Sequence, residues 1–153
     1  MGPIAYIDSS ALLKLAIRER ETSALEADLA SRVGLVTSRL AALECRRAAR
    51  RLPHKVLLAL DDVLDAVYLL DLTVANLDAA AAMSPPALRS LDAIHLATAL
   101  SIADPDLEVI TYDDRLADAA RAAGLAVVQP GRSHNGGPGV QSSKACPETV
   151  LRR

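Results

Sequence analysis

The sequence predicts an α/β domain, with a central, mostly parallel sheet of four to five strands flanked by helices. Three observations carry that expectation. Short apolar runs alternate with helical stretches along the chain, as in successive βαβ units. That alternation throughout argues for a mostly parallel sheet covered on both faces, and the first run, Ile4-Ala5-Tyr6-Ile7, reads as a buried strand. Apolar residues make up 51% of the chain but aromatic ones only 2%, with no Phe or Trp. The core must therefore be built from Leu, Ala, Val and Ile, which suits helices packed on a small sheet.

The elements follow in order. Ile4-Ala5-Tyr6-Ile7 reads as a buried strand that ends at Asp8-Ser9-Ser10. A helix follows through Leu12, Leu13, Leu15 and Ala16. Ser23, with Glu26 three residues on, has the form of a capping box opening a second helix, which Gly34 breaks. Leu35-Val36-Thr37 is a second strand. Ser38 caps a helix running to about Leu52, and Pro53 starts the next, to about Tyr68. A short strand is expected over 70–74 and a helix from about Asn76, ended by Ser84-Pro85-Pro86. Another helix runs from near Ser90 through Leu100. Glu108-Val109-Ile110-Thr111 is a strand, Gly124 the left-handed stop of the helix after it, and Ala126-Val127-Val128 the last strand.

A chain of 153 residues holds one domain with a real core and is too short for two. Residues 1–130 form that domain. Beyond Pro130 the composition turns to Gly, Ser, Pro, Asn and Gln, and 131–153 reads as a disordered tail. The tail carries +3 of a formal net charge of −2, leaving −5 on the body. Such a body is not a simple basic nucleic-acid binder and needs metal ions or a local basic patch to handle a polyanion. The lack of aromatic residues weighs against stacking platforms for single strands. Cys45 and Cys146 show neither metal-ligand spacing nor a disulfide framework. Asp8 breaks the first apolar run, so no signal peptide is expected, and no run reaches the roughly 20 residues that cross a bilayer. A cytoplasmic protein without membrane contact is the expectation.

Four acids stand out. Asp8 and Asp113 each follow a strand and precede a helix, which in an open parallel sheet puts them at the carboxyl ends of the strands, where ligands bind. Each also suits an N-cap, but Ser9 or Ser10 and Asp114 could cap those helices as well. Glu44 has Leu40 and Ala48 at i−4 and i+4, so it interrupts an apolar stripe. It needs a partner, either Arg47 or Arg51 on its own helix or a cation in a pocket. Asp92 lies in the first turn of its helix, where an acid is electrostatically favoured, and also edges an apolar stripe with Leu96 and Ala99. His95 is read as packed or hydrogen-bonded rather than as a ligand, since no second His stands at ligand spacing. Together the acids form an oxygen-donor set of the kind that hard cations choose, suited to activating water against a phosphodiester.

These residues carry a resemblance. Tyr6-Ile7-Asp8-Ser9-Ser10-Ala11-Leu12, Glu44, Leu91-Asp92-Ala93-Ile94-His95-Leu96-Ala97 and Thr111-Tyr112-Asp113-Asp114-Arg115-Leu116 resemble the successive motifs of PIN-domain proteins, above all the VapC-type toxins of bacterial toxin–antitoxin pairs. The resemblance covers roughly 4–128. It implies a PIN-like three-layer fold and a Mg²⁺- or Mn²⁺-dependent endoribonuclease acting on RNA. It also implies a homodimer and a cognate antitoxin that blocks the site. Asp8, Glu44, Asp92 and Asp113 match the family's catalytic and metal-binding quartet; Ser10 and Thr111 match hydroxyl positions beside it, and Asp114 is a variable neighbour. Arg46, Arg47, Arg50 and Arg51 are candidate contacts to RNA phosphates, or else a solvated helix face.

Three other readings compete. A receiver-type phosphoacceptor needs an acidic pair after the first strand and a Lys after a late one; here two serines follow Asp8, and the lysines are Lys14, Lys55 and Lys144. A haloacid-dehalogenase-like phosphatase needs a second Asp where Ser10 stands. A catalytically silent PIN-like module, for binding or assembly alone, would keep the fold without the chemistry. The surplus apolar surface expected on the helix from Pro53 belongs either to a central core helix or to a partner interface.

Overall fold

The computed structural model describes residues 2–133. Within them, β1 (Gly2–Ile7), β2 (Arg32–Ser38), β3 (Tyr68–Leu70), β4 (Glu108–Ile110) and β5 (Ala126–Val128) form one sheet. The strand order is β3-β2-β1-β4-β5, and every neighbouring pair is parallel. The helices are α1 (Ser9–Ala16), α2 (Thr22–Ala30), α3 (Arg39–Ala49), α4 (His54–Asp65), α5 (Val74–Ala81), α6 (Ser90–Leu100) and α7 (Asp114–Ala122). The chain builds outward from β1 to β2 and β3, then crosses to the other side of β1 for β4 and β5. That reversal leaves a crevice beyond the carboxyl ends of β1 and β4.

Period-two alternation along β1 sorts the layers. Ala5 and Ile7 face one way and pack with Ala11 and Leu12 of α1, Ala41 and Cys45 of α3, and Leu60 and Leu64 of α4. Tyr6 faces the other way, with Val109 and with Ala99 of α6. Leu96 of α6 joins Leu116 and Ala120 of α7 on that second side. The result is the expected three-layer arrangement. On α4, Val56, Leu60 and Leu64 are buried and Leu57 and Val63 pack partly on the same core, whereas Leu58 is left exposed; the helix ends at Asp65, and Val67 joins the core from beyond it.

Three local expectations are corrected. The Ser23–Glu26 capping box is not used. The Thr22 hydroxyl accepts from the Glu19 amide at 2.9 Å and donates to the Lys14 carbonyl at 2.7 Å, so α2 starts one residue before Ser23. Gly34 is not a helix stop but an interior residue of β2 opposite Ile4, because α2 already ends at Ala30. The third strand covers Tyr68–Leu70 rather than 70–74. Thr73 and Asn76 form a reciprocal capping box, each side-chain oxygen accepting the other's amide at 3.1 and 3.2 Å, which commits Val74 to α5. Gly124, at φ +85°, ends α7 as expected. From His134 onward the tail expected over 131–153 lies outside the described residues. Among the described residues, no helix is long and apolar enough to cross a membrane.

Candidate active site

The crevice is built first from Asp8, one residue past β1. Its Oδ1 accepts from the Ala11 amide at 3.0 Å and from the Ser10 hydroxyl at 2.7 Å, so Asp8 caps α1. Its Oδ2 accepts from the Thr111 hydroxyl at 2.6 Å, which ties the end of β1 to the end of β4. Both hydroxyls are seated by backbone donors: the Tyr112 amide donates to Ser10 and the Asp113 amide to Thr111. Asp8 is only 3% exposed. Burial holds its carboxyl above the ordinary range, against the pull of Ser10, Thr111 and Ala11.

Asp113 follows β4 and caps α7, its Oδ1 accepting from the Arg115 and Leu116 amides at 2.9 and 3.1 Å. Both strand-end acids are therefore the N-caps. Ser9, Ser10 and Asp114, which could have capped these helices as well, do not, so the capping reading of both acids holds and strand-end position alone does not single out chemistry. Asp114 is exposed, pairs with Arg132 and stays out of the cluster.

Glu44 is held neither by Arg47 nor by Arg51. Its Oε1 lies 2.7 Å from His95 Nε2, reaching from α3 across the end of the sheet to α6. Behind it, His95 Nδ1 lies 2.9 Å from the Tyr6 hydroxyl. Tyr6 was not foreseen as part of the site, since in the sequence it is simply one member of an apolar strand. Asp92, in the first turn of α6, brings the fourth carboxylate. Burial, then the charge of Asp113 and, more weakly, that of Glu44 hold its carboxyl above the ordinary range. Tyr6 feels both Asp8 and Glu44, as does Cys45, whose buried thiol is pushed up to about 12 and is no nucleophile. The four acids thus share one end of the sheet.

The donor set fits a hard divalent cation. Asp92 Oδ2 is buried without a hydrogen-bond partner, a state that costs free energy unless something else satisfies the oxygen. Its neighbours are carboxylates, the ligand type that Mg²⁺ and Mn²⁺ choose. As they stand, no three His, Cys, Asp or Glu side chains among the described residues converge on one ligation point, so the acids gather without closing.

At the carboxyl end of α3, Arg47 of its last turn and Arg50 and Arg51 just beyond it line one depression, while Arg46 is drawn to Asp61 at 3.6 Å. A separate depression of about 590 Å³ lies at the amino ends of the strands, lined in part by Gly2, Ile4 and Val33, and holds none of the four acids.

The family profile described as PIN domain matches residues 5–122. Over 132 residues the chain is 42% identical to "Ribonuclease VapC46" of Mycobacterium tuberculosis, covering 82% of this chain and 96% of that one. It is also 42% identical to "Ribonuclease VapC35" of the same species, covering 84% and 98%. Among solved structures, a toxin–antitoxin complex from Klebsiella pneumoniae superposes with a TM-score of 0.64 at 25% identity, over 82% of this chain and 97% of that one. M. tuberculosis VapC20, described as a sarcin-ricin loop cleaving toxin, gives 0.64 at 18% identity over 82% and 99%, a likeness of fold alone.

Proposed function

We infer, because this chain belongs to the PIN-domain family, that it is a metal-dependent endoribonuclease and the toxin of a toxin–antitoxin pair. Its similarity to named VapC ribonucleases across nearly the whole described domain supports the activity. The observation that carries the site assignment is the buried, unpartnered Asp92 oxygen beside Asp113 and Glu44, at the switch point of the sheet. Asp8, Glu44, Asp92 and Asp113 are the proposed catalytic and metal-binding acids, with Mg²⁺ or Mn²⁺ as the ion.

Each residue then has a task. Asp8, locked by Ser10 and Thr111, presents a carboxylate that does not swing, and its Oδ2 keeps a lone pair beyond the Thr111 bond. Asp113 contributes from an exposed cap, and Asp92 contributes the oxygen that lacks a partner. Glu44 stands where it can orient or deprotonate a water. A bound divalent ion supplies Lewis-acid chemistry, polarising the phosphate and lowering the pKa of water. Arg47, Arg50 and Arg51 are the proposed phosphate contacts of the RNA, at the carboxyl end of α3, where cations are favoured. Asp114, engaged by Arg132, is left outside the reaction. The partners proposed are the RNA substrate, a second copy of the chain and an antitoxin; the toxin–antitoxin complex from Klebsiella pneumoniae supports the last.

The test is cleavage of a cellular RNA pool by the purified chain with Mg²⁺, Mn²⁺ or EDTA, beside Asp92→Asn. Discrete products that require the metal and vanish in the variant are expected. A folded, partner-free protein that cuts nothing with either metal would instead favour the silent module.

A further inference from the structure

We propose that His95 is a positioning residue for Glu44: anchored by Tyr6, it presents Nε2–H to one oxygen of the carboxylate and fixes how Glu44 meets the cation. The inference rests on the nuclease reading of the acids and adds a residue that the acidic quartet does not contain.

The geometry carries it. Glu44 is partly exposed, with 28% of its side chain open to solvent, so unaided it would sample several rotamers. His95 is its opposite: 3% exposed, in the middle of α6 among Ala93, Leu96, Ala97 and Ala99, a place where an aliphatic side chain would pack without needing partners. Both ring nitrogens are nevertheless engaged, one with Glu44 Oε1 at 2.7 Å and the other with the Tyr6 hydroxyl at 2.9 Å.

The tautomer follows from the partners. A carboxylate only accepts, so the proton must be on Nε2. In the neutral ring Nδ1 is then an acceptor, and the Tyr6 hydroxyl donates to it. The Tyr6 hydroxyl has its proton to give, and its ring meets His95 edge-on, centroids 6.1 Å apart at 72°. Tyr6 lies within β1, two residues before Asp8. The relay therefore runs from the strand that positions Asp8, through the helix that carries Asp92, to the carboxylate on α3. Hydrogen-bond partners standing behind a metal ligand in this way orient it and tune metal affinity.

The test compares the full-length wild type with His95→Gln and His95→Asn. The Gln amide nitrogen reaches the place of Nε2 and keeps the contact with Glu44; the Asn amide reaches only the place of Nδ1 and keeps the contact with Tyr6. Mn²⁺ binding is measured by electron paramagnetic resonance without RNA, together with melting in EDTA and RNA cleavage over a Mn²⁺ titration. His95→Asn should weaken Mn²⁺ binding about tenfold or more, and His95→Gln should keep most of the affinity. A residue that merely packs against Tyr6 gives the reverse order, and that order, or equal affinity in all three proteins, overturns the proposal.

If the Asn variant does not fold, the ¹⁵N signals of the wild-type ring decide. A proton on Nε2 supports the relay, and one on Nδ1 alone overturns it. The two readings fail separately. A wild type that binds Mn²⁺ but leaves RNA intact removes the nuclease reading, while the affinity order still judges His95.

Discussion

Asp8 does two kinds of work that pull against each other. As an N-cap bonded to Ser10, Thr111 and the Ala11 amide it stabilises the junction of β1 and α1, yet its charge is held where water barely reaches. Asn caps a helix about as well as Asp and carries no charge. Asp8→Asn should therefore melt higher than the wild type in EDTA at neutral pH while losing RNA cleavage. A variant that melts lower would mean that the charge itself holds the junction. The same burial sets a pH dependence. Folded Asp8 and Asp92 keep their protons to higher pH than they do in the unfolded chain. Between the ordinary carboxylate value and the raised one, the folded state binds more protons. Metal-free stability is then fullest below that window and falls as pH rises through it. Melting in EDTA from about pH 4 to about pH 8 should show the decline, and added Mn²⁺ should lift the high-pH end most. A flat profile would mean that the two carboxyls are not desolvated as the fold indicates.

At the scale of elements, α3 bears the proposed metal-binding Glu44 and leads into the arginine run proposed to meet RNA phosphates. Ser38 caps its start, accepting from the Ala41 amide at 3.1 Å, Glu44 sits midway, and Arg46 and Arg47 lie in its last turn with Arg50 and Arg51 just beyond. Replacing Arg47, Arg50 and Arg51 together with Ala should weaken RNA binding for all sequences alike. The slope of log affinity against log salt should drop by about 0.7 for each single-strand phosphate that is no longer neutralised. An unchanged slope would return the run to the status of a solvated face. Helix α5 offers a purely structural contrast. It packs against α6, which bears Asp92 and His95, and its start depends on the Thr73–Asn76 box. Thr73→Ala should cost about 1 kcal/mol in urea denaturation, with cleavage at saturating Mn²⁺ near wild type.

For the whole molecule, the main core on the α1, α3 and α4 side of the sheet holds the carboxyl ends of the strands in register. Leu60 lies fully buried in it, and Leu60→Ala should cost about 2–5 kcal/mol by leaving a cavity, read by denaturant unfolding. Much of this architecture was legible in the chain, because helix and strand periods, caps and stops are local matters. The apolar runs marked β1, β2, β4 and β5, Ser38 and Gly124 marked helix ends, and the acids after β1 and β4 were placed at the carboxyl edge. Where local signals competed, reading failed: Ser23 lost the cap because Thr22 bonds back to Lys14, and Val74 went to α5 because Thr73 and Asn76 cap each other. Residue type and spacing were enough to set the α/β class and to pick out the candidate acids, since they say which face a side chain takes. Which faces then meet is a tertiary matter. Glu44 and His95 are 51 residues apart, His95 and Tyr6 89, and Asp8 and Thr111 103. Contacts at such separations depend on strand order and helix packing, which no local period encodes.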